Sequence, residues 1–547
     1  MPFFDLIRRE MHGSLVRLLI MSAFGGVSNA AILAAVNSGA ETAGTGAGNL
    51  WAAALFLVAL MIFIKSQHYI LISATVEIEA IIHKLRVRLL DQVRHAELLP
   101  LDAIGRARIG ASITRETATL AQATNVCAFA AQSVVLIFFV AIYISYLSLL
   151  AFAFIVVVVT FTALMLHIKT RGMAEGTREG AEWEARLFDR QTDLLDGFKE
   201  VRLNRARSEE LFDDIAEVSR NAANVKIRTQ SETFKRLVFS QSSVYLLLGA
   251  IVFVAPIFGA APAGTIAKTT TATLFIVGAC FSLVQALPIL TAANAAAENI
   301  AGLEAKLQEM SVEGRARSAE AAVHFEKIEM RGVEFRYVDK SSESVFQVGP
   351  VDFELRRGEL VFITGGNGSG KSTLLRVLSG LYQPDAGEIR LDGVAVTGDR
   401  LDAYRSLFSA IFVDYHLFQR LYGISDQDAA DLARLLTQFR LADKTRLADG
   451  EFTTLDLSGG QRKRLALIVS MLEKRPIMLL DEWTAEQDPE FRRKFYDELL
   501  PELMRNGATV VAITHDDRYL EELKMPARNL RMDEGRFVEP RSVESTR

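Results

Sequence analysis

Apolar residues are distributed unevenly along the chain. Six apolar runs, each about 20 residues long, occupy roughly the first 300 residues, and shorter apolar segments alternate with charged ones after that. A helix needs roughly 20 apolar residues to cross a bilayer, because unpaired backbone groups in lipid cost several kcal/mol. The pattern predicts a six-span α-helical membrane domain, a linker and a soluble α/β domain. The spans are expected at 15–36, 51–74, 127–147, 149–168, 237–260 and 272–293, the membrane domain at 1–307, the linker at 308–324 and the soluble domain at 325–540.

The first apolar run has a second interpretation. Arg8, Arg9 and Arg17 lie near its start and small residues lie near its end, as in a secretory signal peptide. Its apolar stretch is longer than the usual core of such a peptide, so a membrane span is favoured.

Lysine and arginine residues indicate the orientation of the spans. The long connections 75–126 and 169–236 hold many of them, whereas the short connections 37–50 and 261–271 hold one between them. Basic residues are retained on the cytoplasmic side, so both termini and both long connections are expected in the cytoplasm.

The long connections are periodic and charged, which predicts helices that continue the spans beyond the lipid. Their tips are expected at 101–111 and 195–204, as short amphipathic pieces that lie across the soluble domain. Ordinary solvated loops are the alternative for both tips.

Composition excludes some functions and partners. Half of the residues are hydrophobic, and the net charge of −5 is small for 547 residues. No basic tract with interleaved aromatic residues is present, so nucleic acid is not expected as a partner. Cys127 and Cys280 lie in or beside apolar runs without a CxxC motif or a nearby histidine, and are interpreted as packing residues.

A phosphate-binding loop follows the apolar strand predicted at 360–364. Residues 365–373 read GGNGSGKST, and a helical pattern comes next. The glycines let backbone N–H groups close around phosphates, Lys371 reaches the β and γ oxygens, and Ser372 offers a hydroxyl to Mg²⁺. The residues assigned to the nucleotide are Gly365, Asn367, Gly368, Ser369, Gly370, Lys371, Ser372 and Thr373.

Two further apolar runs end in residues suited to ATP hydrolysis. The run 477–480 leads into Asp481 and Glu482, and the run 509–513 ends just before His515. Asp481 suits the Mg²⁺ shell, and Glu482 suits polarising the attacking water. A lone histidine at a strand end is usually structural, but three strands that deliver Lys, Asp-Glu and His to one edge favour a shared site.

A third motif, LSGGQ at 457–461, precedes another apolar helical pattern. With it, the chain resembles the ATP-binding cassette transporter family. The resemblance implies that two cassettes pair head to tail, with each ATP between one P-loop and the partner's signature, so a homodimer is the simplest completion. It also implies that Tyr337 stacks on adenine and that Asp488 lies in the loop that crosses between cassettes. The implied signature residues are Ser458, Gly459, Gly460 and Gln461.

One position departs from the family pattern. Where the family usually has glutamine, this sequence has Val413. Valine neither binds Mg²⁺ nor holds the lytic water, so Asp414 or solvent must compensate, or coupling between hydrolysis and transport differs.

Several segments narrow the resemblance. Residues 481–496, residues 194–204, and Phe408-Ser-Ala together with Asp414 are similar to exporters of cyclic peptides and peptide siderophores, the pyoverdine and syringomycin type. This resemblance implies a modified or cyclic peptide as the transported substrate.

Polar residues inside the spans are candidates for the translocation path, with hydrogen bonding between helices as the alternative. They are Asn29, Gln67, His68, Gln132, Tyr143, Gln241, Ser242, Tyr245, Ser282 and Gln285.

The sequence therefore predicts ATP-driven peptide export across the cytoplasmic membrane by alternating access, with a second copy of the chain and membrane lipid as partners. Two alternatives remain open. A lipid or lipid-linked glycan flippase shares every motif, and an ATP-gated channel or sensor is suggested only by Val413.

Overall fold

The computed structural model describes residues 2–10, 14–43, 49–105, 109–110, 112–169, 173–258, 263–310, 325–338, 345–425 and 430–538. The chain separates into two compact units. One is formed by Met1–Arg94 and Ile104–Gln308, and the other by His95–Ala103 and Glu309–Arg547. Most of the linker expected at 308–324, together with residues 259–260 of the fifth expected span and 539–540 of the expected soluble domain, lies outside the described residues.

Helices make up the described part of the N-terminal 310 residues. They are α1 Pro2–Glu10, α2 Ser14–Ala43, α3 Leu50–His95, α4 Leu98–Ile104, α5 Thr117–Leu147, α6 Leu149–Lys169, α7 Met173–Asp196, α8 Phe198–Leu203, α9 Arg205–Gly249, α10 Ala255–Phe258 and α11 Ala263–Met310. One π-helical turn, Ser112–Glu116, precedes α5, and another, Ala250–Val254, joins α9 to α10.

Five predicted spans each fall on one of these helices, and the fifth along the chain, 237–260, runs over the end of α9, a π-helical turn and α10. Five described stretches are long and apolar enough to cross a membrane: Val16–Thr42, Leu50–His95, Ser112–Leu147, Arg205–Val254 and Gly264–Met310. The remaining predicted span, 149–168, coincides with the 21-residue α6, whose described apolar part is Leu149–Phe161.

The apolar residues of the spans lie on two kinds of surface, one buried between helices and one exposed on the outside. Leu33, Val140 and Ile276 belong to a buried cluster between α2, α5 and α11. Others, including Leu57 and Phe138, stay exposed on the outside of the helices. Apolar side chains on both surfaces are the pattern expected of helices that pack together and also contact lipid.

A polar contact joins three spans. The Asn37 amide on α2 donates hydrogen bonds to the Tyr143 hydroxyl on α5 at 3.2 Å and to the Lys268 carbonyl oxygen on α11 at 3.3 Å. Asn37 is buried, so these bonds satisfy an amide that would be costly in lipid. For Tyr143 the structure therefore supports the alternative of helix packing.

The described residues of the long connections are mostly helical, as predicted. Helices α3, α9 and α11 have 46, 45 and 48 residues, which is far more than a bilayer requires. Helix α8 lies within the second predicted tip. Helix α4 begins at Leu98 rather than at Leu101, because Pro100 falls in its first turn, where a missing N–H costs nothing. Residues 106–108 and 111 of that predicted tip lie outside the described residues.

The C-terminal part of the chain combines strands with short helices. Its strands are β1 Lys327–Val338, β2 Val345–Arg356, β3 Leu360–Thr364, β4 Ala386–Leu391, β5 Val394–Ala395, β6 Phe408–Ile411, β7 Leu447–Ala448, β8 Glu451–Phe452, β9 Ile477–Asp481, β10 Thr509–Ile513, β11 Arg528–Asp533 and β12 Arg536–Val538. Its helices are α12 Lys371–Leu378, α13 Leu401–Arg405, α14 Leu432–Gln438, α15 Gly459–Leu472, α16 Pro489–Lys494, α17 Leu500–Arg505 and α18 Asp517–Glu521.

These strands form a six-stranded sheet in the order β12-β11-β3-β10-β9-β6, a four-stranded sheet in the order β2-β1-β4-β5, and the β7-β8 pair. In the larger sheet all neighbours are parallel except β11 and β12. Its central strands are buried on both faces, which explains why they read as continuous apolar runs in the sequence.

Alternate residues of these strands enter two different hydrophobic cores. Phe362 and Leu480 belong to one core with α15, whereas Ile363 and Leu479 belong to the other with α12. Successive side chains of a strand point to opposite faces. Helices α12 and α15 therefore pack on opposite faces of the sheet.

Candidate nucleotide site

Strand register brings the predicted catalytic residues to one edge of the six-stranded sheet. Ile513 of β10 pairs with Ile363 of β3 on one side and with Asp481 of β9 on the other. The three strands are parallel, so the segments that follow them leave from the same edge. These segments are the P-loop, the Asp481-Glu482 pair and the loop with His515.

The P-loop has the backbone geometry that its glycines allow. Gly365 and Gly370 have φ of +148° and +100°, and a Cβ on Gly365 would collide with the backbone oxygen of Met532. The buried Lys371 opens α12, and its Nζ donates to the carbonyl oxygens of Gly365 at 2.9 Å and Gly366 at 2.8 Å. Lys371 is therefore held inside the loop.

The other predicted P-loop residues surround this lysine along the chain. Ser369 is buried and its hydroxyl has no hydrogen-bond partner among the described residues. Asn367 and Gly368 are exposed, and Ser372 and Thr373 are half-buried.

Asp481 is buried, with 1 % of its surface exposed, and neither of its carboxylate oxygens has a hydrogen-bond partner of good geometry in the described structure. Burial raises the pKa of this carboxyl, the nearby Ser372 hydroxyl opposes the rise, and the Glu482 charge adds to it. Burial likewise lowers the pKa of Lys371, and both acidic neighbours oppose that change. A buried, unpartnered carboxylate next to a hydroxyl fits the oxygen ligands that Mg²⁺ prefers.

Glu482 and His515 lie together at this edge. Glu482 Oε1 is 3.2 Å from His515 Nε2, and both side chains are partly exposed. The backbone of Glu482 has a φ of +48°, an uncommon conformation for a residue with a Cβ. Such strain often marks functional positions.

The signature motif opens α15. The Ser458 hydroxyl accepts from the Gln461 N–H at 3.4 Å, while the Gln461 side chain accepts from the Ser458 N–H at 3.0 Å, which forms a capping box. The motif's glycines leave room for a neighbouring loop: a Cβ on Gly459 would collide with the Glu486 carboxylate, and one on Gly460 would lie 2.7 Å from the Glu486 backbone oxygen.

Asp488 caps α16, since its Oδ1 accepts from the Phe491 N–H at 2.8 Å. This backbone bond holds the pKa of Asp488 below its usual range, and the Arg464 guanidinium, which bonds to the same carboxylate, acts in the same direction.

Tyr337 lies on β1 in the four-stranded sheet and is 43 % exposed. Its register partner on β2 is Phe346, and a Cβ on Gly370 of the P-loop would lie 3.3 Å from the Phe346 ring. The adenine-stacking role of Tyr337 stays a prediction.

Val413 is exposed, and the adjacent Asp414 accepts from Arg376 Nη2 at 3.1 Å. Arg376 belongs to α12, the helix that follows the P-loop. Asp414 therefore already has a cationic partner beside the nucleotide site.

Sequence reasoning missed a set of contacts between α15 and the loop after β9. The buried Lys463 and Arg464 come from α15, and Glu486, Gln487 and Asp488 come from the loop. Gln487 accepts from Arg464 Nε at 2.8 Å and donates to the Gly460 carbonyl oxygen at 3.1 Å. Lys463 and Arg464, which with Arg462 form three basic residues in a row ahead of the apolar part of this helix, were the only signal of these contacts.

Residues 95–103, which begin with the last residue of α3, group with the C-terminal unit. Leu98 and Leu99 pack against the core that contains α12. Arg405 Nη2 lies 3.1 Å from Glu97 Oε2, and Arg405 Nε donates to the Gly380 carbonyl oxygen at 2.8 Å. This segment overlaps the first predicted tip, 101–111, only at residues 101–103, and the contacts named here lie before that tip.

Comparison with known proteins identifies the family. Residues 348–485 match the family model described as ABC transporter. The chain is 36 % identical over 459 residues to the ATP-binding protein SyrD of Pseudomonas syringae pv. syringae, an alignment that covers 81 % of this chain and 80 % of SyrD. The chain belongs to the ABC transporter family. It is also 27 % identical to the ATP-dependent lipid A-core flippase of Dechloromonas aromatica, over 65 % of this chain and 62 % of the flippase.

A solved structure confirms the predicted fold class, an exporter-type helical membrane domain followed by an α/β P-loop domain. A bacterial Atm1-family ABC exporter with ATP bound superposes with a TM-score of 0.76 at 18 % identity, covering 97 % of this chain and 95 % of that one. The protein is thus an ATP-binding ABC transporter that couples ATP hydrolysis to transmembrane transport, and its fold is that of an ABC exporter. It is a multi-pass protein of the cytoplasmic membrane, with its cassette in the cytoplasm.

Proposed function

We propose that this ABC exporter moves a modified or cyclic peptide out of the cytoplasm by alternating access, as a homodimer. The observation that carries the proposal is the alignment with SyrD, which spans most of both chains. It agrees with the resemblance of residues 481–496 and 194–204 to exporters of cyclic peptides and peptide siderophores.

The homodimer is supported by the arrangement of one cassette. Its P-loop helix α12 and its signature helix α15 pack on opposite faces of the sheet. Ser458 and Gly459 are exposed at the start of α15, and Asn367 and Gly368 are exposed in the P-loop. A second copy, paired head to tail, supplies the signature that each P-loop requires.

Each predicted site residue has a role in this arrangement. Lys371 and the P-loop N–H groups bind the phosphates, Glu482 orients the attacking water, and His515 holds the γ-phosphate edge beside Glu482. Ser372 and Asp481 would hold Mg²⁺, which would neutralise charge on the phosphate oxygens. Ser458, Gly459, Gly460 and Gln461 contact the partner's nucleotide, Asp488 lies at the crossing between cassettes, and Tyr337 stacks on adenine.

Movement of the cassettes reaches the spans through the two tips. Leu98 and Leu99, the first residues of α4, pack on the cassette of their own chain. Helix α8 has exposed apolar side chains, with Phe198 at 59 % and Leu203 at 87 % exposure. We assign α8 to the cassette of the second copy, which would cover these side chains.

A matched pair of proteins in lipid nanodiscs and inverted vesicles tests the function. The wild type is expected to hydrolyse ATP, to be stimulated by peptide substrate, and to concentrate labelled peptide inside inverted vesicles. Glu482→Gln is expected to bind ATP but to lose turnover and transport, because the amide cannot polarise water. Hydrolysis by Glu482→Gln at the wild-type rate refutes the role of Glu482, and a protein that stays monomeric with ATP refutes the dimer.

A lipid or lipid-linked glycan flippase is the second candidate. The observation that favours it is the similarity to the Dechloromonas aromatica flippase, which extends beyond the cassette to 371 aligned residues. The same vesicles separate the candidates, because a flippase moves labelled lipid between leaflets without concentrating peptide. A channel only dissipates gradients.

A further inference from the structure

The backbone of Glu482 is held from both sides. Its N–H donates to the Ile513 carbonyl oxygen at 3.1 Å, and its own carbonyl oxygen accepts from Lys463 Nζ at 3.0 Å. These bonds fix the peptide groups on either side of a residue whose φ is +48°. The left-handed conformation persists only where surrounding contacts impose it.

Lys463 is placed for this task by the signature helix. It lies on α15 and only 3 % of its surface is exposed. Its ammonium also pairs with Glu486 Oε1 at 3.1 Å, which compensates the buried charge. In return, the Trp483 indole donates to the Lys463 carbonyl oxygen at 2.8 Å. Two reciprocal bonds therefore tie residue 463 to residues 482 and 483.

We propose that Lys463 is a positioning residue for ATP hydrolysis, whose ammonium fixes the Glu482 backbone and thereby aims the Glu482 carboxylate at the edge shared with His515. The backbone dihedrals of Glu482 set the direction of its Cα–Cβ bond. Loss of the hydrogen bond from Lys463 to the Glu482 carbonyl oxygen therefore lets the Glu482 carboxylate turn away from that edge. Lys463 is therefore assigned an effect through the Glu482 backbone rather than a direct contact with the nucleotide. The inference rests on the proposed role of Glu482 as the group that orients water.

The test uses the full-length protein in nanodiscs and compares substitutions at one position. Lys463→Met keeps the apolar stem and removes the donor, and Lys463→Gln keeps a polar group that is too short to reach the Glu482 carbonyl. Both are expected to lower kcat about 100-fold, the scale of a small misplacement of a catalytic group, with KM for ATP changed by less than about threefold. Lys463→Arg keeps a charged donor of sufficient length and is expected to restore most of kcat.

Two controls separate positioning from stability. Lys494→Met is the same substitution at a lysine whose Nζ also donates to a backbone carbonyl oxygen, that of Gln438 at 2.8 Å, and it should leave kcat unchanged. In a Glu482→Gln background, Lys463→Met should cause no further fall in single-turnover hydrolysis, because both changes remove the same function. Melting temperatures show whether each variant is folded. If Lys463→Met does not fold, the kcat values of Lys463→Gln and Lys463→Arg test the proposal instead.

A wild-type kcat in both Lys463→Met and Lys463→Gln overturns the proposal. A change confined to KM for ATP also overturns it, and so does a fall in hydrolysis that is equally large in the Glu482→Gln background. Wild-type hydrolysis in Glu482→Gln itself is a different result. It refutes the proposed role of Glu482 and does so independently of Lys463.

Discussion

The ion pair between Glu97 and Arg405 joins the segment beside α4 to the cassette, and its loss should uncouple hydrolysis from transport. The two side chains are 14 % and 22 % exposed, and their closest atoms are 3.1 Å apart. At an effective dielectric constant near 20, the Coulomb attraction at this separation is about 5 kcal/mol. Desolvation offsets part of it, which leaves about 2 kcal/mol for a hydrogen-bonded pair that is mostly buried.

A coupling energy of about 2 kcal/mol changes an equilibrium roughly 30-fold. Glu97→Gln should therefore lower the ratio of peptide transported to ATP hydrolysed by up to about 30-fold. Basal ATPase activity should persist, because the residues of the nucleotide site are unchanged. Both quantities are measured in the same inverted vesicles, by uptake of labelled peptide and by release of phosphate.

A double-mutant cycle shows whether the pair itself is responsible. Glu97→Gln combined with Arg405→Met should be no worse than Arg405→Met alone, since Arg405→Met also loses the bond to the Gly380 carbonyl oxygen. Glu490→Gln is the matched control, because it removes one partner of an exposed ion pair with Arg440 on the same cassette. Strictly additive effects of the two substitutions, or an unchanged transport ratio, would refute the reasoning.

Two further predictions concern the nucleotide site. Val413→Gln restores a side chain that binds Mg²⁺ and water beside Asp414, so it should change the ratio of transport to hydrolysis more than it changes ATP affinity; an unchanged ratio contradicts this. Burial raises the pKa of Asp481 in the folded protein. At pH values just above the usual range of an aspartate, the folded protein therefore keeps the Asp481 proton, whereas the unfolded chain has already lost it. The contribution of this carboxyl to the free energy of unfolding therefore falls as pH rises through that window, and Asp481→Asn should remove that fall. Melting curves between weakly acidic and neutral pH, without nucleotide or magnesium, check this, and equal slopes for variant and wild type count against it.

Local patterns in the sequence predicted the architecture well for identifiable reasons. The thickness of a bilayer dictates the length of an apolar run, so the described residues of every predicted span are helical, although the span 237–260 includes the π-helical turn between α9 and α10. The central strands of the cassette were visible as apolar runs because both of their faces are buried. The first tip was expected at 101–111, and α4 instead begins at Leu98, because Pro100 can stand in the first turn of a helix.

The sequence by itself determined the fold class, the family and the cytoplasmic side of the cassette, and it predicted the spans and the nucleotide-site residues, because hydrophobic length, basic flanks and short motifs are properties of neighbouring residues. Only the tertiary structure decided that α12 and α15 lie on opposite faces of the sheet, and that Lys463 reaches the backbone of Glu482. It also paired Glu97 with Arg405, which are 308 positions apart. Such contacts follow from strand register and helix packing over long separations, and no local pattern of residues encodes them.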